Sequence, residues 1–145
     1  MKKLHGLAIV AAVVLLAPAV MAQEHFNEGP VWRVELIRVK PTHMDEYLSS
    51  LRKSSKPLLE EEKKEGVIMD YKFFIKETKN SPDDWDVCLA IEYKNHAALD
   101  GIGAKEEAIR DKVLGGKQQE QQIGEKRAEY RELVSEELMQ EIWLK

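Results

Sequence analysis

The chain has 145 residues, of which 22 are basic and 26 acidic, and its formal net charge at pH 7 is −4. Affinity for nucleic acid comes mainly from clustered Lys and Arg, so this acidic balance argues against a nucleic-acid partner. The single cysteine, Cys88, excludes an internal disulfide and a cysteine-rich metal site. The length suits one domain with one hydrophobic core.

The first 22 residues have the pattern of a secretory signal peptide. Two lysines precede an apolar run from Leu7 to Leu16, and Val20 and Ala22 occupy the positions that signal peptidase reads. The apolar run is shorter than the roughly 20 residues that cross a bilayer. We therefore expect cleavage after Ala22, a periplasmic or secreted mature protein, and no stable membrane anchor after cleavage. Cleavage would remove two basic residues and leave a formal net charge of −6.

Residues 23–30 are predicted to be an N-terminal tail, and residues 31–145 to form a single domain. The domain begins with VWRVELIRVKP, which is rich in β-branched residues and ends at a proline, as is typical of a strand that leads into a turn. One face of this strand is apolar and holds Trp32, Val34 and Leu36. The other face is mixed and holds Arg33, Glu35, Ile37 and Val39. The pattern predicts a strand that is covered on both faces.

A helix is predicted after Pro41. Thr42 is placed to cap this helix. Apolar residues follow at helical spacing, namely Met44, Tyr47, Leu48 and Leu51. Pro57 cannot lie in an undisturbed helix interior, so we expect a break or kink near Ser55 and a second helical segment that starts at Pro57 and ends at Gly66.

The charged run from Glu60 to Glu65 allows two interpretations. One is a docking patch for a partner. The other is a solvated helix face on which Glu60 and Lys64 pair at the i, i+4 spacing. The solvated face is favoured, because charge runs of this kind usually lie in solvent.

Two later segments alternate between apolar and polar residues, which predicts two half-buried strands. The segment VIMDYKFFIKE places on one face Val67, Met69, Tyr71, Phe73 and Ile75. The segment WDVCLAIEYK places on one face Trp85, Val87, Leu89, Ile91 and Tyr93. The turn-forming sequence TKNSPDD lies between them, so the strands are expected to form an antiparallel hairpin. Cys88 alternates with apolar neighbours and is predicted to be a small buried side chain.

A second, extended helical region is predicted to begin with Asn95 as its cap, and Gly115 and Gly116 interrupt it. The polar stretch KQQEQQIGEKRAEYRELV then predicts a surface helix with one narrow buried stripe. The few apolar residues of that stretch are Ile123, Tyr130, Leu133 and Val134.

The closing sequence SEELMQEIWLK fits either an extension of that helix or a strand. As a strand it places Leu138, Ile142 and Leu144 on one side, and Ser135 offers a break before it. We favour the strand, because IWLK prefers a sheet and the added strand would cover an exposed edge of the first strand. The chain is then predicted to be an α+β protein with the ferredoxin-like βαββαβ order and a four-stranded antiparallel sheet.

With this order the chain resembles the dimeric α+β barrel superfamily, which includes antibiotic-biosynthesis monooxygenases, haem-degrading monooxygenases and NIPSNAP-type proteins. The resemblance is carried by VELIRVKPTHMDEYLSSLRK, a strand leading through a proline turn into a helix, and by CLAIEYKNHAALDG, a strand ending in an aromatic residue before a capped helix. It implies a homodimer in which two sheets face each other. It also implies that several charges lie in or near the barrel interior, namely Arg33, Glu35, Asp70, Lys72 and Glu92.

The residues do not identify a subfamily. The resemblance implies that haem-degrading members use an Asn on the first strand, and a Trp and a haem-ligating His in the second helical region. This chain has neither the Asn nor the Trp, and His96 lies too early to match. No phosphate-binding glycine loop, paired-histidine motif or Gly-x-Ser-x-Gly sequence is present, so no cofactor and no metal site are predicted.

No catalytic residue is identified from the sequence, and four residues are candidate contacts for a small-molecule ligand: Arg33, Tyr71, Tyr93 and His96. His96 has the chemistry of an acid or base, but a solvent-facing residue in a first helical turn is favoured. The favoured function is small-molecule binding or an interaction role in the cell envelope. The alternative is a cofactor-independent monooxygenase or isomerase that acts on a small aromatic or polyketide-like substrate.

Overall fold

The structure is a computed structural model that describes residues 25–145. In chain order its elements are β1 (Phe26–Val39), α1 (Met44–Ser50), a π-helical turn (Leu51–Ser55), α2 (Lys56–Lys64), β2 (Asp70–Ile75), β3 (Val87–Tyr93), a 3-10 turn (His96–Leu99), α3 (Ile102–Leu114), α4 (Lys117–Ala128) and β4 (Arg131–Leu144). The predicted signal peptide, residues 1–22, lies outside the described residues. Within that described range, no helix has the length and apolar character needed to cross a bilayer.

The four strands form one antiparallel sheet in the order β2-β3-β1-β4. This order is the ferredoxin-like arrangement, so the predicted α+β fold class is confirmed. The C-terminal segment is a strand, as predicted. It pairs with β1 along nearly its whole length, from Phe26 opposite Leu144 to Val39 opposite Arg131.

The strand β4 begins earlier than the sequence predicts. The surface helix expected to continue through Val134 ends at Ala128, and Arg131 already lies in the sheet. Lys40 donates its backbone N–H to the carbonyl of Tyr130 at 2.9 Å, which joins the start of β4 to the end of β1. Pairing with β1 therefore overrides the helical propensity of this segment.

The strand β1 also begins earlier than predicted, because residues 26–30 of the expected tail belong to the sheet. The register shifts between Glu28 and Val31, where Gly29 and Pro30 form a bulge. A Cβ on Gly29 would lie 3.1 Å from the backbone oxygen of Glu141, so glycine allows β1 and β4 to approach closely here. A Gly-Pro pair usually ends a strand, whereas this bulge lets the ladder resume beyond it.

The interruption expected near Ser55, a break or a kink, takes the form of the π-helical turn Leu51–Ser55. α1 continues into α2 through the π-helical turn, and Pro57 lies in the first turn of α2. A π turn shifts the hydrogen-bond pattern, which accommodates a proline that has no N–H to donate. Thr42 is not the cap, because its φ of 71° places it in the left-handed region and His43 takes the N-cap position.

The start and the interruption of the second helical region are as predicted. The Oδ1 of Asn95 accepts a hydrogen bond from the backbone N–H of Ala98 at 3.0 Å. Gly115 and Gly116 separate α3 from α4, and both have a positive φ. Glycine adopts this conformation without a steric cost, so the pair allows an abrupt change of direction.

The helices cover one face of the sheet, which is the mixed face of β1. The core on that face consists of Val31, Ile37, Val39, Tyr47, Leu51, Leu59, Ile68, Val87, Leu89, Ile91, Tyr93 and Tyr130. The opposite, open face carries a smaller apolar cluster of Val34, Cys88 and Ala90, flanked by Trp32, Leu36 and Trp85. Cys88 is buried, as predicted.

The charges expected together in a barrel interior are divided between these two faces. Arg33 and Glu35 lie on the helix-covered face with Val31 and Ile37, since residues two apart share a face. The other three lie on the open face with Trp32: they are Asp70, Lys72 and Glu92. The strand pattern alone could not assign the faces, because both faces of β1 contain apolar residues.

Candidate functional site

Four polar side chains lie together between the sheet and the helices, and we call them the interior polar cluster: Arg33, Glu62, Tyr93 and Glu106. Arg33 and Tyr93 come from the adjacent strands β1 and β3 and lie on the helix-covered face. Glu62 comes from α2 and Glu106 from α3, and both are buried. The carboxyl of Glu62 is close enough to feel the charges of Arg33 and Glu106.

The periodicity of the helices places the two acids inside. Glu62 follows the core residue Leu59 by three positions, and Glu106 precedes the buried Ile109 by three. Residues three apart lie on the same side of a helix, so each acid continues an apolar stripe. Burying a carboxyl group is costly unless a charge or a hydrogen bond compensates it.

Arg33 provides that compensation in part. Its Nη2 donates to Oε1 of Glu106 at 3.4 Å, a long contact for an ion pair. Its Cζ lies 5.5 Å from the centre of the Tyr93 ring, which is a cation–π arrangement. Its Nε is buried and has no hydrogen-bond partner among the described residues. The guanidinium is therefore only partly satisfied within the chain.

Tyr93 is the most deeply buried polar side chain of the cluster. Its relative exposure is 0%, and its hydroxyl has no hydrogen-bond partner among residues 25–145. Burial raises the pKa of Tyr93, against the opposing charge of Arg33. The phenol therefore stays protonated at neutral pH and remains able to donate.

Glu62 is only 4% exposed. Burial, together with the neighbouring charge of Glu106, raises the pKa of Glu62 to about 7 against the opposing charges of Arg33 and Arg110. Near neutral pH the Glu62 carboxyl is therefore a mixture of neutral acid and carboxylate. A group balanced in this way can donate or accept a proton.

The polar interior continues beyond the cluster toward the far end of β1. Glu35 is the next residue on the same face as Arg33, and burial raises the pKa of Glu35. Arg131, at the start of β4, has a buried Nε without a partner in the described part of the chain. Arg127 donates hydrogen bonds of 2.6 to 2.9 Å to three hydroxyls around the π-helical turn, those of Ser50, Ser54 and Ser55.

The four predicted ligand contacts are only partly brought together. Arg33 and Tyr93 meet in the interior polar cluster. The Tyr71 ring packs against the same apolar core, but its hydroxyl donates to Glu60 at 2.5 Å near the surface. Burial, together with this bond, raises the pKa of Tyr71 to about 12. His96 is exposed and lies apart from the other three.

Two of the open clefts in residues 25–145 lie outside the cluster. One, of about 670 Å³, is lined by His96 and Trp143, together with Glu92 and Glu141. Glu141 accepts hydrogen bonds there from the indoles of Trp32 and Trp143, at 2.9 and 3.2 Å. The other cleft, of about 890 Å³, lies between α1 and α4 and has a mixed polar and apolar lining. Neither cleft is lined by Arg33 or Tyr93.

Sequence reasoning missed Glu62 and Glu106. The run from Glu60 to Glu65 was expected to be a solvated face, which holds for Lys64 but not for Glu62. The expected pairing of Glu60 with Lys64 was also wrong, because Lys64 contacts Glu61 at 3.1 Å. The available signal was the spacing of each acid from a core residue on its own helix, which places an acidic side chain within an apolar stripe.

No group of three or more His, Cys, Asp or Glu side chains within residues 25–145 is arranged to hold a metal ion. The cluster instead offers unpaired hydrogen-bond donors and a titratable acid. Its chemistry is that of polar recognition and proton transfer.

No protein-family model matches the sequence, and no curated protein matches it. Among solved structures, the chain is similar to HapK from Hahella chejuensis, with 12% identity and a TM-score of 0.50 over 77% of this chain and 91% of HapK. It is also similar to a dimeric protein of ferredoxin-like fold from Bacteroides fragilis, with 15% identity and a TM-score of 0.45 over 81% of this chain and 99% of that one. The likeness to HapK supports the fold alone. The predicted ferredoxin-like fold is thus confirmed, and no subfamily is identified.

Proposed function

We propose that the protein binds a small molecule at the interior polar cluster. The observation that carries this proposal is the Tyr93 hydroxyl, which is fully buried and has no partner among the described residues. A buried donor without a partner costs roughly 1 to 3 kcal/mol of stability. A ligand that accepted this hydrogen bond would recover that free energy on binding.

The unpaired groups indicate the chemistry of the ligand. The Tyr93 hydroxyl and the Arg33 Nε are both free to donate, and neutral Glu62 adds a third donor. These groups fit an anionic or carbonyl oxygen. The neighbouring core residues Val31 and Ile91 favour an apolar or aromatic body attached to that oxygen. The Arg33 side chain is 29% exposed, which supports entry from its side of the cluster.

Substituting Tyr93 with phenylalanine tests this proposal. Because the hydroxyl is unpaired in the free protein, Tyr93→Phe should leave the free energy of unfolding unchanged or raise it by about 1 kcal/mol. The same change should weaken the binding of aromatic carboxylates and ketones, such as benzoate and 4-hydroxyacetophenone, by about tenfold or more. Isothermal titration calorimetry measures the affinity, and urea denaturation measures the stability.

Tyr71→Phe is the matched control for this test, because it removes a hydroxyl that already bonds to Glu60 near the surface. Its ligand affinity should equal that of the wild type. Equal affinities for the wild type and Tyr93→Phe would contradict the proposed site. Native mass spectrometry of the purified protein also reports any ligand that it retains.

We propose, as an alternative, a cofactor-independent isomerase or oxygenase that begins with proton transfer. The observation that favours it is the pKa of Glu62, raised to about 7 next to the donors Tyr93 and Arg33. Glu62 would remove a proton from the carbon beside a carbonyl, and Tyr93 and Arg33 would stabilise the oxyanion that forms. NMR of deuterium exchange into a 1,3-diketone tests this activity, which Glu62→Gln should abolish.

The protein is further proposed to be a homodimer that uses its open face. That face carries the apolar cluster of Val34, Cys88 and Ala90 with no helix above it. Phe74 and Met139 extend the same surface and are each close to half exposed. Exposed apolar side chains such as Phe74 and Met139, on a sheet face with no helix above it, are typical of a contact with another protein. An interaction role in the cell envelope would use the same surface.

Export is proposed from the sequence of residues 1–22. Two lysines, the apolar run and the Val20/Ala22 positions support it. Expression of the full chain should yield a mature protein whose N-terminal sequence begins at Gln23. Recovery of the intact Met1 terminus from the cytosolic fraction would contradict export.

A further inference from the structure

The outer edge of β4 is long and open. β4 extends from Arg131 to Leu144 and, in the described part of the chain, pairs only with β1. Its other edge therefore presents backbone N–H and C=O groups to which another strand can bind. β4 also carries most of the exposed large apolar side chains of residues 25–145: Leu133, Val134, Leu138, Met139, Ile142, Trp143 and Leu144.

The opposite edge of the sheet is built differently. β2 is short, and it exposes Lys72 and the ion pair of Asp70 with Lys63. Short length and charged side chains are common protections against pairing at an edge. β4 is 14 residues long and contains four glutamates but neither lysine nor proline, and its apolar residues occupy both faces of the sheet. The contrast identifies β4 as the edge suited to a partner strand.

We propose that β4 pairs with β4 of a second copy of this chain, antiparallel, with Leu138 opposite Leu138 on a two-fold axis. In this register Glu137 lies opposite Met139, and Glu136 lies opposite Gln140. No carboxylate faces another, and the two apolar Leu138 side chains meet at the centre. The ladder makes one continuous sheet from β2 of one copy to β2 of the other.

The glutamates of β4 and the length of the strand together select this register. Centring the pair on Glu136 or Glu137 would set a carboxylate directly against its own copy. Centring it on Met139 would set Glu137 against Glu141. Like charges directly opposite destabilise a sheet. Centring the pair on Gln140 or on Ser135 avoids such contacts but shortens the ladder, because Leu138 lies near the middle of β4 (Arg131–Leu144) and the other two residues do not.

This inference rests on the proposed homodimer and specifies how the two copies join. A two-fold axis through Leu138 places both helix layers on one side of the continuous sheet and both open faces on the other. Curling of that sheet would bring the two open faces together. Backbone pairing between the two β4 strands therefore fixes the position of one copy relative to the other. Apolar contact between the open faces alone would not fix it.

Cysteine cross-linking tests the register. In a Cys88→Ala background, Leu138→Cys treated with a short bismaleimide should give mainly covalent dimer at micromolar concentration. Ile75→Cys is the matched control, because Ile75 is 57% exposed on the other edge strand and Leu138 is 51% exposed. Ile75→Cys should remain monomeric on a denaturing gel. A Leu138→Cys yield no higher than that of Ile75→Cys, or lower than that of Gln140→Cys, overturns the register.

A charge at the axis gives a second measurement. Leu138→Lys sets two ammonium groups opposite each other and should raise the dimer dissociation constant about tenfold or more in sedimentation. Ile75→Lys should not change it, and circular dichroism confirms that both variants fold. If the Leu138→Lys variant remains a dimer while Phe74→Asp, on the open face, dissociates, the β4–β4 pairing is wrong and the proposed homodimer is retained. A wild-type protein that is monomeric in sedimentation would contradict both the proposed homodimer and the β4–β4 pairing.

Discussion

Replacing Glu62 with glutamine is expected to raise the free energy of unfolding at pH 8 by about 3 kcal/mol. Burial and the charge of Glu106 raise the pKa of Glu62 to about 7 in the folded chain, from an ordinary value of 4.5. The folded state therefore holds a proton that the unfolded state releases. Glu62 consequently lowers stability as the pH rises from about 4.5 through 7, and glutamine removes this dependence.

Urea denaturation at pH 5 and pH 8 measures the effect. The advantage of Glu62→Gln over the wild type should be small at pH 5 and near its full size at pH 8. Glu107→Gln is the control, since Glu107 lies exposed on α3 and its carboxylate is solvated in the folded chain. An equal gain at both pH values, or a loss at pH 8, would show that Glu62 is not a buried acid.

Deleting residues 138–145 is expected to lower the melting temperature by roughly 15 °C or more, or to leave the chain insoluble. The reason is the ladder between β4 and β1, which pairs Phe26 with Leu144 and Arg33 with Leu138. Each such hydrogen bond contributes about 1 kcal/mol net, and a domain of this size has only about 5 to 15 kcal/mol of stability. The deletion also removes the bond from Trp32 to Glu141.

Side-chain burial contributes less to this effect than the strand pattern suggested, because Ile142 and Leu144 are largely exposed in the single chain. Ile142→Ser combined with Leu144→Ser therefore serves as the control, since it keeps the ladder and removes the apolar side chains. Differential scanning calorimetry should show a shift of only a few degrees for this variant. A shift as large as that of the deletion would assign the stability to side-chain packing instead of the ladder.

The order of strands and helices was predictable because it depends on local patterns. The strands β2 and β3, the Asn95 cap and the Gly115-Gly116 interruption all appear where expected, although β3 is buried on both faces instead of one. Boundaries were less predictable. β4 begins at Arg131 because β1 supplies hydrogen-bond partners there, which no property of the segment itself reveals. The π-helical turn beside Pro57 is likewise the form that the expected break or kink takes.

The candidate site was predicted only in part. Arg33 and Tyr93 were selected from the sequence and meet in the interior polar cluster, whereas Tyr71 bonds to Glu60 and His96 lies in a separate cleft. Side chains on different elements meet only when the register of the strands and the crossing of the helices are known. A list of aromatic and charged residues does not contain that information.

The sequence by itself determined the α+β class and the four strands, because hydrophobic period and turn chemistry act over short distances. Only the tertiary structure decided which face of β1 the helices cover, since both of its faces carry apolar residues. That choice places Arg33 beneath α2 and α3, where it meets two acids from distant parts of the chain. Burial there, and not any local motif, makes Glu62 a titrating group near neutral pH.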